Sequence, residues 1–214
     1  VLDLGSGKGT VALLIARRLL ACRVVGVEAL TQSHELAIRN ASWNRLEDRY
    51  EPRLGDLRDS SVLAGEPLFD LICGAPPFKR MGTGTLPRDP QRAAGRFEMR
   101  GGVEAYAEAA VRHLAPGGRI VLLMDGLGCA RAQSAIGSAG LFTRRILGVR
   151  PRPDRAATYW IIEAGAEPAC TMEETLCMRE ESGETWSLEY EAIRGEMDLP
   201  KQRFSPDLAG FVSL

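Results

Sequence analysis

Asp3-Leu4-Gly5-Ser6-Gly7-Lys8-Gly9-Thr10 is the stretch on which the fold turns. Val1-Leu2-Asp3-Leu4 before it reads as a buried strand, and Thr10 to Leu20 after it carries apolar residues at helical spacing. A strand, a glycine-rich turn and a helix in that order open a βαβ unit. Gly5 and Gly7 permit a tight turn and a close approach of a ligand to the backbone. The helix start presents unpaired N–H groups. A phosphate-binding P-loop is disfavoured, because Lys8 is followed by Gly9 and the four-residue spacing before a Gly-Lys-Ser/Thr is missing.

Outward from the loop, the chain continues to alternate. Strands are expected at Arg23 to Glu28, Tyr50 to Leu54, Phe69 to Cys73, Arg119 to Met124, Leu141 to Val149 and Thr158 to Glu163. Helices are expected from Thr31 to about Arg45, capped by Thr31 or Ser33, from Gly102 to Leu114, and from Arg131 to Ala139. Residues 74–100 read as irregular, and Pro116-Gly117-Gly118 as a turn. This pattern predicts an α/β fold: a Rossmann-like, seven-stranded, mainly parallel sheet with helices on both faces. The short link between the last two strands predicts an antiparallel hairpin at one edge.

Three carboxylates fall where an open α/β sheet binds ligands, at the carboxyl ends of its strands. Asp3 stands two residues before Gly5, where it would repel a pyrophosphate but suits a cationic amino group. Glu28 ends the second strand, at the position from which an acid accepts from ribose hydroxyls. Asp56 follows the third strand and can accept from an adenine amino group. A second motif, Asp70-Leu71-Ile72-Cys73-Gly74-Ala75-Pro76-Pro77-Phe78, closes the fourth strand. Its prolines stiffen the backbone and leave carbonyls facing the site, and Phe78 offers a flat ring.

The acids in this order resemble the S-adenosylmethionine site of class I methyltransferases. The resemblance implies that Asp3, Gly5 and Gly7 hold the methionine part, Glu28 the ribose and Asp56 the adenine. The Ala75-Pro76-Pro77-Phe78 stretch resembles the Asn-Pro-Pro-Tyr/Phe motif of enzymes that methylate amino groups on planar substrates. Arg96-Phe97-Glu98, the segment Gly102 to Ala110, and Trp186 to Tyr190 with Ile193 are similar to the bacterial tRNA adenine-N6 methyltransferase family. In that family both amino protons are accepted, one by the Asn side chain and one by a Pro carbonyl, while the aromatic ring stacks on the base. Such positioning supplies several kcal/mol. This chain carries Ala75 where the family has Asn or Asp, and the loss of one such contact costs roughly 1–3 kcal/mol.

The bulk numbers set the remaining bounds. The chain has 214 residues, 45% hydrophobic and 26% charged, with formal net charge −1, so no global field draws it to nucleic acid or membrane. Five scattered cysteines and two histidines lack metal-ligand spacing, so no metal site is expected, and reduced thiols point to the cytoplasm. No apolar run is long enough to span a membrane. Val1 begins within a strand, as in a fragment whose N-terminus lies upstream. Residues 1–164 read as the cofactor-binding domain, and residues 165–214 as an acidic extension packed on it whose carboxylates form a solvated face.

Local basic patches remain as candidate RNA contacts. Lys79, Arg80, Arg88, Arg92, Arg96 and Arg100 form one, and Arg144, Arg145, Arg150, Arg152 and Arg155 another. The expected activity is methylation of an amino group of RNA, with tRNA as partner. The alternatives are the same fold acting on a protein glutamine, a guanine or a small molecule, and a non-catalytic descendant that binds RNA or protein. An NAD-dependent oxidoreductase fits least, since Asp3 blocks its phosphate site.

Overall fold

A computed structural model describes residues 1–199. Its elements run β1 (Leu2–Leu4), α1 (Thr10–Arg18), β2 (Val24–Glu28), α2 (Thr31–Trp43), β3 (Tyr50–Leu54), β4 (Phe69–Gly74), α3 (Pro90–Arg96), α4 (Val103–His113), β5 (Leu114–Asp125), α5 (Cys129–Ser138), β6 (Phe142–Arg150), β7 (Tyr159–Gly165), β8 (Met172–Cys177) and α6 (Leu188–Glu196). One sheet has the order β3-β2-β1-β4-β5-β7-β6-β8. Strands β3 to β5 are parallel, and β7 lies antiparallel between β5 and β6. The order reverses at β1, so the crevice beyond the carboxyl ends of β1, β2 and β4 is the natural ligand position.

The larger core packs the Ala-rich faces of α4 and α5 against Leu4, Ile72, Ile120, Leu122 and Ile162. A smaller core sets Ala12, Ala16, Ala37 and Ala41 against Val24 and Tyr50. Alanine on these helices lets backbones approach the sheet closely. Two buried tyrosines then fill the space beside the glycine loop. Tyr50 lies where a Cβ on Gly9 would stand 2.7 Å from its ring, and where one on Gly26 would stand 2.8 Å from its hydroxyl. Tyr106 of α4 occupies the place of a side chain at Gly5 and at Gly74.

Several expectations need correction. The sheet has eight strands, not seven: the acidic stretch Met172–Cys177 pairs parallel to β6. Its carboxylates are not merely solvated, because Glu174 binds Arg145, and Glu167 lies 3.3 Å from Arg144. Charged residues on this outer strand discourage pairing with another chain. The β6–β7 hairpin is therefore not the edge. Pro116-Gly117-Gly118 does not separate a helix from a strand. It is a bulge within β5, where pairing jumps from Phe69↔Leu114 to Leu71↔Arg119. The stretch expected to be irregular contains α3, started by Asp89, whose carboxylate accepts from the Arg92 N–H at 2.8 Å, and by Pro90 in the first turn. Neither Thr31 nor Ser33 caps α2, since Leu30 precedes it without a side-chain cap. Residues 200–214 of the expected acidic extension lie outside the described residues.

The packing of Tyr50 yields a stability test. Tyr50→Ala should lower the unfolding free energy by roughly 3–5 kcal/mol, because the loop loses its floor. Tyr50→Phe should stay within about 1 kcal/mol of wild type, since the Tyr50 hydroxyl has no hydrogen-bond partner among the described residues. Urea titration followed by circular dichroism measures both.

Candidate active site

The glycine loop turns through three positive φ values, +64° at Gly5, +56° at Gly7 and +83° at Gly9. Non-glycine residues rarely adopt this region. The three differ in their surroundings. Gly5 and Gly9 are packed by tyrosines, whereas a side chain at Gly7 would meet nothing within 4 Å. Gly7 thus leaves the loop open towards a cleft.

Glu28, at the end of β2, sets the shape of that opening. Its carboxylate accepts from the Gly7 N–H at 2.8 Å and from the Leu30 N–H at 2.7 Å. It is 8% exposed and lines the cleft. Each oxygen keeps a further lone pair for a hydroxyl donor. The cleft encloses roughly 220 Å3 and brings together Gly5, Gly7, Glu28, Asp56, Ala75 and Pro77. Asp56 already accepts two bonds from the Arg58 guanidinium, at 2.9 and 2.7 Å, and this cation holds its carboxyl below the usual range. Arg58 is exposed, so it can swing away at modest cost.

Three expected site residues do not line the cleft. Asp3 lies beneath the loop and is 4% exposed. It pairs in register with Cys73, whose thiol donates to Oδ1 at 3.6 Å, while Oδ2 has no hydrogen-bond partner among the described residues. Burial pushes its carboxyl up to about 7. Pro76 is buried, and Phe78 is half-buried against the larger core, its ring centroid 6.4 Å from that of Tyr159.

Sequence reasoning missed the opposite wall. Gln91, Ala94 and Gly95 of α3, with Met99, Arg100 and Tyr106, close the cleft. The Asp89-Pro90 start signal marked α3, and Tyr106 was the one bulky residue on an Ala-rich helix face. The loop bearing α3 is drawn shut at its neck: the Lys79 N–H donates to the Arg96 carbonyl and the Glu98 N–H to the Lys79 carbonyl, both at 2.9 Å. Arg131 of α5 then binds Glu98 and Glu104 together, tying the neck to α4 and α5. On the outer side, Arg88, Arg92 and Arg96 are exposed and make no ion pair among the described residues. The second basic cluster differs, because Arg144, Arg145, Arg152 and Arg155 are each paired with an acid.

A parallel sheet with an order reversal at β1, an open glycine loop after β1 and an acid closing β2 defines a Rossmann-like nucleotide-cofactor fold. The chain belongs to the methyltransferase small domain family, whose model matches residues 1–132. A tRNA1(Val) (adenine(37)-N6)-methyltransferase of Porphyromonas gingivalis is 36% identical over 124 residues, 57% of this chain and 48% of that one. The chain thus spans about half the length of that relative. The enzyme of the same name from Tolumonas auensis is 28% identical over 199 residues, 93% of this chain and 81% of its own. A solved structure of a predicted O-methyltransferase from Agrobacterium tumefaciens shares the fold, with TM-score 0.71 at 21% identity over 95% of this chain and 91% of that one.

The buried Asp3 makes a pH prediction. The folded state holds its proton up to about pH 7, whereas an unfolded aspartate releases it near its ordinary value of 3.8. The folded state therefore binds more protons in that window, and its stability falls as pH rises from about 4 to 7. Asp3→Asn should remove this slope. Denaturant midpoints at pH 4.5 and about 8 should converge in the variant and stay apart in wild type.

Proposed function

We propose that this protein is an S-adenosylmethionine-dependent methyltransferase acting on an amino group of RNA, with tRNA adenine as the favoured acceptor. The observation that carries the reading is Glu28, a buried carboxylate that fixes the Gly7 N–H and faces an open cleft. The residues present suit the cofactor. The partnerless Asp3 Oδ2 beneath the loop answers a cationic amino group. Gly5 and Gly7 admit the methionine chain, Glu28 takes the ribose hydroxyls, and Asp56, once Arg58 turns aside, takes the adenine amino group. The cofactor supplies an electrophilic methyl group on a sulfonium.

The protein's part in the reaction is placement. Pro76 and Pro77 stiffen the end of β4, and the motif's backbone carbonyls are left to accept from the incoming amine. Phe78 provides a flat face for the ring that bears the amine. The walls formed by Tyr106 and α3 exclude water. No metal is called for, because the amine sheds its proton after the new bond forms. Residues 1–164 serve as the catalytic unit and residues 165–214 as an extension on it. On this reading the protein works in the cytoplasm, beside its RNA.

Lys79, Arg80, Arg88, Arg92 and Arg96 are the proposed phosphate contacts. The paired arginines of β6 are not, since their charge is already answered within the chain. Helix α3 thus turns Gln91, Ala94 and Gly95 to the cofactor cleft, while Arg92 and Arg96 of the helix, with Arg88 just before it, are exposed and are proposed to meet RNA.

Methyl transfer from labelled cofactor to unmodified tRNA tests the reading. Label in RNA at adenine is the expected result, and label in protein alone contradicts it. Replacing Arg88, Arg92 and Arg96 together by Ala should lower RNA affinity and reduce the salt slope by about 2–3. Cofactor affinity without RNA should stay within about twofold of wild type. An unchanged salt slope removes these arginines from the RNA contact.

A further inference from the structure

Ala75 leaves the proposed amino transfer short of one hydrogen-bond acceptor, and most carboxylates around the carboxyl edge of the sheet are already engaged. Glu28 is engaged by two backbone N–H groups and Asp56 by Arg58. Glu98 and Glu104 share Arg131, and Asp154 lies between Arg152 and Arg155. Asp125 differs from all of these. It is the last residue of β5, it is half-buried, and its carboxylate makes no hydrogen bond or ion pair among the described residues.

Its position follows from the register. β4 and β5 pair Cys73 with Val121 and Gly74 with Leu122. Carried on one for one, that register sets Ala75 beside Leu123 and Pro77 beside Asp125. On its other side Asp125 pairs with Tyr159, the first residue of β7. Because β7 is antiparallel, its beginning stands at the carboxyl edge. There Tyr159 is 43% exposed, and its ring is tilted 51° to that of Phe78. The backbone around Asp125 is pinned: the Gly128 N–H donates to the Asp125 carbonyl at 3.0 Å, and the Trp160 indole donates to the Gly126 carbonyl at 3.0 Å. Its side chain lies against Gly128, where a Cβ would come within 3.0 Å of Oδ1. A carboxylate without a partner among the described residues, on a fixed backbone next to the exposed Tyr159 and the half-buried Phe78, matches an amino group on a flat ring.

We infer that Asp125 accepts the hydrogen bond from the substrate amine that Ala75 cannot accept, with Phe78 and Tyr159 as the platform for the amine's ring. The inference rests on the amino-transfer reading above. The nitrogen lone pair forms the N–CH3 bond as the C–S bond of the sulfonium breaks and leaves a neutral thioether. The proton then shed by the methylated nitrogen passes along the hydrogen bond to Asp125 and on to water. The acceptor thus moves from the end of β4 to the end of β5, its next neighbour in the sheet.

The test uses labelled cofactor and unmodified tRNA. Asp125→Ala should lower kcat by about 10–100-fold, as expected for one lost contact to a charge-bearing amine. Cofactor affinity by calorimetry should not change. Asp125→Asn keeps an acceptor and should retain most of the rate. Adding Ala75→Asn to Asp125→Ala should regain at least about tenfold, which a merely structural role for Asp125 would not produce. Asp125→Val replaces the alanine variant if that variant fails to fold. Tyr159→Leu should raise KM for RNA more than it lowers kcat. An Asp125→Ala enzyme within about twofold of wild type, a parallel loss of cofactor affinity, or no rescue by Ala75→Asn overturns the inference while amino transfer stands. A wild type that binds cofactor and labels no RNA overturns amino transfer itself, and the inference with it.

Discussion

The carboxylate of Glu28 holds two backbone N–H groups that nothing else satisfies, one in the glycine loop and one at the entrance to α2. Through it the loop after β1 and the turn after β2 become one rigid lip. An apolar residue there would leave the Gly7 and Leu30 donors unpaired at a partly buried site, a cost of about 1–3 kcal/mol for each. The same residue has lone pairs left over, directed into the cleft. Structure and the proposed recognition therefore rest on one side chain, and the glycine loop can be open at Gly7 without being loose.

The two tyrosines complete this arrangement from either face of the sheet. Tyr50 and Tyr106 stand where side chains at Gly5, Gly9, Gly26 and Gly74 would be. Four glycines are thus demanded by packing, whereas Gly7, with open space beside it, is demanded only by the positive φ that it shares with Gly5 and Gly9. The charge pattern has a comparable division. Acids from the chain's later part neutralise Arg144 and Arg145 of β6, while Arg88, Arg92 and Arg96, in and just before α3, are left to solvent. A net charge of −1 hides this contrast, and its spatial form gives the RNA reading its footing.

Much of this was legible in the sequence because it is local. The strand, glycine loop and helix at the start, the acid ending β2 and the Pro-Pro-Phe after β4 are each set by a few adjacent residues. The fold class followed from their alternation. What was not legible depends on partners far along the chain. Glu174 looks like a solvated acid until β8 brings it to Arg145. Pro116-Gly117-Gly118 reads as a turn until Leu114 is seen already pairing with Phe69. Asp3 sits at the mouth of the loop in sequence yet beneath it in space, since β1 is buried between β2 and β4. Tyr106 lay in a segment noted only for its family likeness, and the helix face brings it to the cleft; Asp125 carried no motif, and only the strand register sets it beside the end of β4.

The central claim is that the cleft beside Glu28 holds S-adenosylmethionine. A crystal structure with the demethylated cofactor product tests it most directly. The account predicts ribose hydroxyls within about 3 Å of the Glu28 carboxylate, the methionine end over Gly5 and Gly7, and Arg58 turned away from Asp56. A ligand bound elsewhere, or one seated in the cleft with Glu28 touching only the Gly7 and Leu30 N–H groups, would contradict it.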